Sequence, residues 1–205
     1  VPLGVDTNVF RPRLGELDGA GTIIEQEALK QMVGCPPDHF LVGMVAANRD
    51  FRKHLEPQFR VFADFHKHYP DTHLFIKTNP SEREGGWNLP RLWTKLFALK
   101  KGEQAPITYP AHDQATVDAD TMALFYNSFD LFLSCSASEG YGLPIMEAQA
   151  CSIPAVVTDF SAMTEVCGAG WKLPYHKFMT PMYGYGAAVD EQALYNALEE
   201  AYHMR

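Results

Sequence analysis

The chain of 205 residues is 46% hydrophobic and 20% charged, with a formal net charge of −8. That length and composition suit one α/β domain with a sizeable core. The acidic balance argues against a nucleic-acid-binding face, which needs a basic surface, but it leaves room for a small anion held by one or two cations and backbone N–H groups.

Along the chain, short apolar runs alternate with helical stretches, the pattern of a parallel sheet with crossover helices. The opening VPLGVDTNVFRP lacks an initiator methionine and reads as the exit from something upstream, so a fragment of a longer protein is expected. Residues 40–46 (FLVGMVA) predict a buried strand, followed by a polar turn over 48–53. Residues 54–68 predict a helix with Leu55, Phe59, Phe62 and Ala63 on one face. A second strand is expected over 73–78 (HLFIKT), a second helix over 89–99 and a short third strand over 107–109. Residues 121–127 read as helical, and 131–134 begin the apolar run DLFLSCS. A helix over 145–150, a strand over 155–158, a weak strand over 171–173 and a terminal helix over 191–204 complete the set. The aromatic, turn-rich stretch 174–189 (PYHKFMTPMYGYGAAV) gives the weakest signal.

Six strands in this order imply a Rossmann-like, doubly wound parallel sheet, which binds ligands in the crevice at the carboxyl ends of its strands. The polar loops directly after strands therefore matter most: 48–53, 79–87 and 136–144. The four cysteines, Cys35, Cys135, Cys151 and Cys167, form no CxxC pair. Buried thiols and a reducing, cytoplasmic setting are the expectation. No apolar run approaches the roughly 20 residues that span a bilayer, and the opening residues do not have the pattern of a secretory leader.

The loop 136–144 leaves a buried strand and enters a helix, with Gly140 and Gly142 flanking Tyr141. Glycine lets the backbone approach a ligand closely. Pro144 suits the first helical position, where its missing N–H costs nothing. The free N–H groups of that turn and the positive end of the helix dipole form an anion site that would suit a diphosphate. Two carboxylates bracket it, Glu139 on the loop and Glu147 within the helix, with seven residues between them. Acceptor-only carboxylates suit sugar hydroxyls; Glu147 has the reach for a ribose and Glu139 lies nearer a transferred sugar. The residue types alone also allow a plain strand–turn–helix whose Glu147 merely favours the helix start. The loop NRDFRK at 48–53 adds Arg52 and Lys53, which could neutralise a leaving diphosphate; taken alone, it equally fits a solvated basic turn.

The stretch SEGYGLPIMEAQACSIPAVVTD resembles the Glu–seven residues–Glu signature of family 4 retaining glycosyltransferases of the GT-B fold. PLGVDTNVFRP is similar to that family's interdomain linker, and FLVGMVAANRDFRKH to its first C-terminal strand and phosphate loop. HLFIKTNP and LFYNSFDLFLSCSASEGYGLP fit as well. The resemblance implies a linker over 1–13 and a donor-binding domain over 14–205, with an acceptor domain lying upstream. It implies that Glu139 contacts donor-sugar hydroxyls and Glu147 the ribose, and that the backbone at Tyr141, Gly142 and Leu143 meets sugar and phosphate. Lys53 matches the phosphate-binding lysine, with Arg49 and Arg52 competing for the partner arginine. Thr108 and Tyr109 fall where the family contacts the base through backbone atoms. The implied reaction is retaining hexosyl transfer from a UDP- or GDP-linked sugar to a hydroxyl of a glycan, lipid or protein, with no metal or other cofactor required. Any membrane association would be peripheral and would reside in the upstream half.

Other candidates are weaker. Asp118-Ala-Asp120 resembles a metal-holding acidic motif, but it precedes the helix TMALFYN, where Asp120 suits an N-cap. The eight histidines show no ligand spacing, although His112 lies near the expected base site. Gly168-Ala-Gly170 reads as a turn and Glu165 as structural. A glycoside hydrolase also uses two carboxylates, yet needs neither a phosphate cradle nor a basic loop. A non-catalytic sugar-nucleotide-binding module is the alternative of a different class; it differs in lacking an acceptor domain that closes over the donor and excludes water.

Overall fold

The computed structural model describes residues 4–48, 51–80, 86–110, 117–180 and 184–205. In chain order the elements are α1 (Gln26–Met32), β1 (Phe40–Val45), α2 (Leu55–His68), β2 (Thr72–Lys77), α3 (Leu89–Leu96) and β3 (Ile107–Thr108). They continue with α4 (Ala119–Ser128), β4 (Leu131–Ser134), α5 (Leu143–Ala150), β5 (Ala155–Thr158), α6 (Ala162–Val166) and β6 (Gly170–Leu173). The chain closes with β7 (Tyr175–Met179), β8 (Tyr185–Val189) and α7 (Glu191–His203). The first six strands form one parallel sheet in the order β3-β2-β1-β4-β5-β6. This is the Rossmann-like, doubly wound architecture that the alternating pattern predicts. The strand order reverses between β1 and β4, which pair through Val42↔Leu131 and Gly43↔Phe132.

The period of two along each strand divides the core between the two faces of the sheet. Phe40, Val42, Met44, Leu74, Ile76, Leu131, Leu133 and Val156 pack with α2, α3 and α7. Leu41, Phe75, Phe132, Ala155 and Val157 pack on the other face, with α4 and α5. Because both faces are covered, the strands are continuous apolar runs. Gly43 is required within β1: a Cβ there would lie 2.1 Å from the Phe129 ring. The four cysteines are free and buried. Burial pushes the Cys35 thiol up to about 12 and raises Cys135 further, so these are packing residues rather than nucleophiles. No helix among the described residues is long and apolar enough to cross a membrane.

Several elements depart from the sequence expectations. The stretch 174–189 contains an antiparallel ribbon, β7 with β8, in register Tyr175↔Val189 to Met179↔Tyr185. Its turn-rich composition hides it, and a tertiary bond helps hold it, from Ala187 N–H to the Ala137 carbonyl at 2.9 Å. The short helix α1 has no sequence signal, being too short to display a helical period, whereas α6 carries Glu165 at the helical position its place after a strand suggests. Asp118, not Asp120, caps α4, accepting from Thr121 N–H at 2.7 Å. Asp120 lies in the first turn and pairs with Arg13 at 2.6 Å. Residues expected as a linker are seated on α4: Phe10 meets Tyr126 edge-on at 5.9 Å. Arg13 N–H also donates to Asn127 Oδ1 at 2.8 Å.

Candidate functional site

The reversal of strand order places the loop after β1 beside the loop after β4, at the carboxyl ends of the sheet. Phe51–Lys53 forms a single 3-10 turn, which presents Arg52 and Lys53 toward the β4 loop. The Lys53 ammonium lies 2.5 Å from Glu139 Oε1 and the Arg52 guanidinium 3.6 Å from Glu139 Oε2. Ser136 Oγ donates to the same carboxylate at 2.7 Å. The Lys53 and Glu139 side chains are only 12% and 8% exposed, against 42% for Arg52, so the inner pair interacts with little screening by water. The Glu139 N–H donates to Ser161 Oγ at 2.9 Å. Ser161 itself sits at φ 56°, ψ −144°, a backbone conformation strained for a residue with a side chain.

α5 begins immediately after this cluster. Gly142 is its N-cap at φ 84°, with no side-chain cap on the helix start. Leu143 is the first helical residue and Pro144 the second, one place later than expected. Although no side chain caps the helix start, Pro144 brings no N–H and the Ile145 N–H donates to the Gly142 carbonyl at 3.0 Å. What the start presents is therefore the positive end of the helix dipole. Tyr141 and Leu143 are half-buried, and Gly140, on the exposed loop tip, would meet nothing within 4 Å if given a Cβ. Glu147, half-buried one turn along, accepts from the buried Tyr126 hydroxyl at 2.6 Å. Burial, followed by the Glu147 charge, raises the Tyr126 phenol well above its ordinary value, so it stays a donor.

Thr108 and Tyr109 lie at the end of edge strand β3, separated from β1 by β2. Thr108 Oγ1 bonds His73 Nε2 at 3.1 Å, and the Tyr109 ring lies 5.6 Å from that of Trp93. These contacts belong to the β3 edge and do not join the Lys53–Glu139 cluster. Arg49 and His112 lie outside the described residues. Glu165 is exposed on α6. Gly168 and Ala169 donate to Gln149 Oε1 at 2.7 and 2.9 Å, which makes that segment a structural turn. A cavity of about 600 Å³, lined by Phe40, Asp130, Pro154, Trp171 and Glu200, opens away from the cluster near the amino ends of the strands.

Three polar residues that organise the site are not signalled by any motif. Asn48, 6% exposed, donates from Nδ2 to the carbonyls of Asn79 and Trp87 at 3.0 and 2.7 Å, and accepts from Trp87 N–H at 2.9 Å. It thereby ties the loop after β1 to the loop after β2. Tyr126 orients Glu147 from α4. Gln58, on the apolar face of α2, bonds the backbone of Lys53, His54 and Cys135. A polar residue among Leu55, Phe59 and Phe62 was the one available sign.

Residues 103–203 match the family described as "Glycosyl transferases group 1". The chain is 28% identical over 157 residues to alpha-monoglucosyldiacylglycerol synthase of Acholeplasma laidlawii, covering 77% of this chain and 35% of that protein. It therefore spans about a third of the length of the curated relative it matches. Among solved structures, it superposes with TM-score 0.56 and 22% identity on the C-terminal domain of LpcC, a group 1 family glycosyl transferase of Francisella tularensis, covering 76% of this chain and 71% of that one. Anabaena HepE, solved in complex with UDP and glucose, superposes with TM-score 0.64 and 18% identity over 96% of this chain and 45% of that one. The architecture is that of a GT-B C-terminal domain. The match to the group 1 glycosyltransferases lies in residues 103–203.

Proposed function

We propose that the full-length protein transfers a hexose from a nucleoside-diphosphate sugar to a hydroxyl acceptor, with retention of configuration, and that this chain is its donor-binding half. The observation that carries this reading is the convergence of Lys53, Arg52 and Glu139 beside the uncapped start of α5. Two cations and a helix N-terminus match the charge that develops on a leaving diphosphate. Glu139 then accepts from donor-sugar hydroxyls, and Glu147, held by Tyr126, from the ribose. The backbone at Gly140, Tyr141, Gly142 and Leu143 lines sugar and phosphate, and Thr108 and Tyr109 approach the base. Arg49 remains a second candidate for the diphosphate. The complex of HepE with UDP and glucose supports a donor of this class.

In the retaining reaction the glycosidic bond breaks through an oxocarbenium-like transition state, and the departing phosphate oxygen takes the acceptor proton on the same face. The protein positions the donor and stabilises the leaving charge, and no step requires a metal. The expected acceptor, a glycan, lipid or protein, meets the upstream domain, which closes over the donor and excludes water. The test is calorimetry of this chain against UDP, GDP and ADP and their sugar conjugates. Saturable binding of one nucleotide and its sugar is expected, and binding of none would overturn the assignment. Binding without transfer by the full-length protein would instead make it a sugar-nucleotide-binding module.

A further inference from the structure

Gln58 lies one turn into α2, and its side chain is almost wholly enclosed, the residue being 1% exposed. Its Nε2 donates to the Lys53 carbonyl at 2.8 Å and the His54 carbonyl at 2.9 Å, and its Oε1 accepts from Cys135 N–H at 2.9 Å. Carbonyls only accept and a backbone N–H only donates, so these partners fix the orientation of the amide. His54, the residue between, is the N-cap of α2 in the left-handed region, at φ 49°, ψ 43°, with no side-chain cap. The helix start is thus held by Gln58 rather than by a cap. Cys135 is the first residue after β4, and Lys53 closes the loop after β1. One side chain therefore joins the two loops that carry Lys53 and Glu139. A single backbone bond, Ala137 N–H to the Arg52 carbonyl at 2.7 Å, supports the same junction.

We propose that Gln58 is a positioning residue: its carboxamide clamps the loop after β1 to the loop after β4 and so sets the approach of Lys53 to Glu139. No other uncharged side chain among those described joins both loops in this way. Gln58 touches no reacting atom; it acts through Lys53. An apolar residue would fill the volume yet strand the Lys53 carbonyl and the Cys135 N–H in a dry junction, and the loops would separate to find water. A glutamate could accept from Cys135 N–H but would oppose both carbonyls until protonated, when it regains one donor.

Two measurements test this. The first needs no substrate: the coupling between Lys53 and Glu139 is obtained from urea unfolding of the chain, using Lys53→Met, Glu139→Gln and the double variant. The cycle is then repeated with Gln58→Leu added. Coupling reduced at least twofold is expected, and coupling left unchanged overturns the clamp. The second rests on the donor-site reading and uses the full-length protein with its nucleotide sugar. Gln58→Leu is expected to lower kcat at least tenfold with less than a threefold change in KM. Gln58→Glu is expected to regain activity relative to the parent as pH falls from 8 to 5.5; a constant ratio across that range overturns the positioning role. A parent without transfer activity would sink the donor-site reading, while the unfolding cycle still decides Gln58.

Discussion

Lys53 and Glu139, 86 residues apart in the chain, meet at 2.5 Å where the strand order of the sheet reverses. Each belongs to a loop that follows a buried strand, so the sheet itself delivers them to one place. Without a ligand the two charges neutralise each other, with Ser136 and Arg52 completing the carboxylate's shell. On the proposed function, a nucleotide sugar would give both new partners: a phosphate for the cation and sugar hydroxyls for the carboxylate. On that proposal the Lys53–Glu139 contact is one that donor binding would replace.

Removing Glu139 takes the carboxylate from the enclosed Lys53, and removing Lys53 leaves Glu139 with only Arg52 and Ser136, so either single change costs more per group than replacing both. Lys53→Met and Glu139→Gln are each expected to destabilise the chain by about 2–3 kcal/mol, and the double variant by less than their sum, with a coupling of about 1–3 kcal/mol. In the full-length protein, Lys53→Ala and Glu139→Ala are expected to lower transfer about a hundredfold or more, the scale of a lost transition-state contact. Near-parental turnover in both would end the role assigned to them.

Much of this arrangement was legible in the sequence because it follows from local signals. Six apolar runs separated by helices dictate a doubly wound sheet, and the polar loops directly after strands are thereby gathered at one edge of it. Lys53, Arg52 and Glu139 were readable on those grounds. The bonds between elements were not. Gln58 and Tyr126 carry no spacing that announces a partner 77 or 21 residues away. The β7–β8 ribbon was hidden for a related reason: its strands are held partly by the β4 loop, through Ala137, and not by a strong alternation of their own. Asp118 and Asp120 were confused because either fits a cap by composition, and only backbone geometry separates them.

Asp118 accepts from Thr121 N–H, and that bond holds its carboxyl below the usual range. Asp118→Ala is therefore expected to lower the thermal midpoint by about 2–4 °C through loss of the cap. Transfer activity should be unchanged with or without added manganese. A manganese requirement that disappears with Asp118→Ala would assign this residue to a metal instead.

The two loop glycines should separate cleanly. At Gly142, φ is 84°, and an added Cβ would lie 3.1 Å from Ile145 Cδ1 and 3.3 Å from Val166 Cγ2. Gly142→Ala is expected to cost about 1–2 kcal/mol, chiefly from the left-handed backbone. Gly140→Ala meets open space and should leave the urea midpoint within error. Its effect should appear only in nucleotide-sugar affinity, through the volume the methyl takes from the ligand. Equal destabilisation by both substitutions would contradict the loop geometry.

Acid sensitivity should arise at His73, in β2 beside the edge strand β3. Burial lowers the His73 imidazole from 6.5 to about 4, and neighbouring His39 and His66 act in the same direction. Between these two values the unfolded chain binds a proton that the folded chain refuses. Stability from this group is therefore complete above about pH 6.5, declines as pH falls toward 4, and is level below that, a loss of roughly 3 kcal/mol at most. Burial also depresses His66 and His54, so a residual slope should survive any single substitution. His73→Gln removes the titration while keeping a polar partner for Thr108. Urea midpoints at pH 7.5 and pH 4.5 should differ distinctly less for His73→Gln than for the parent. An identical pH dependence in the two would show that His73 accepts its proton in the folded state and would remove it as a source of acid lability.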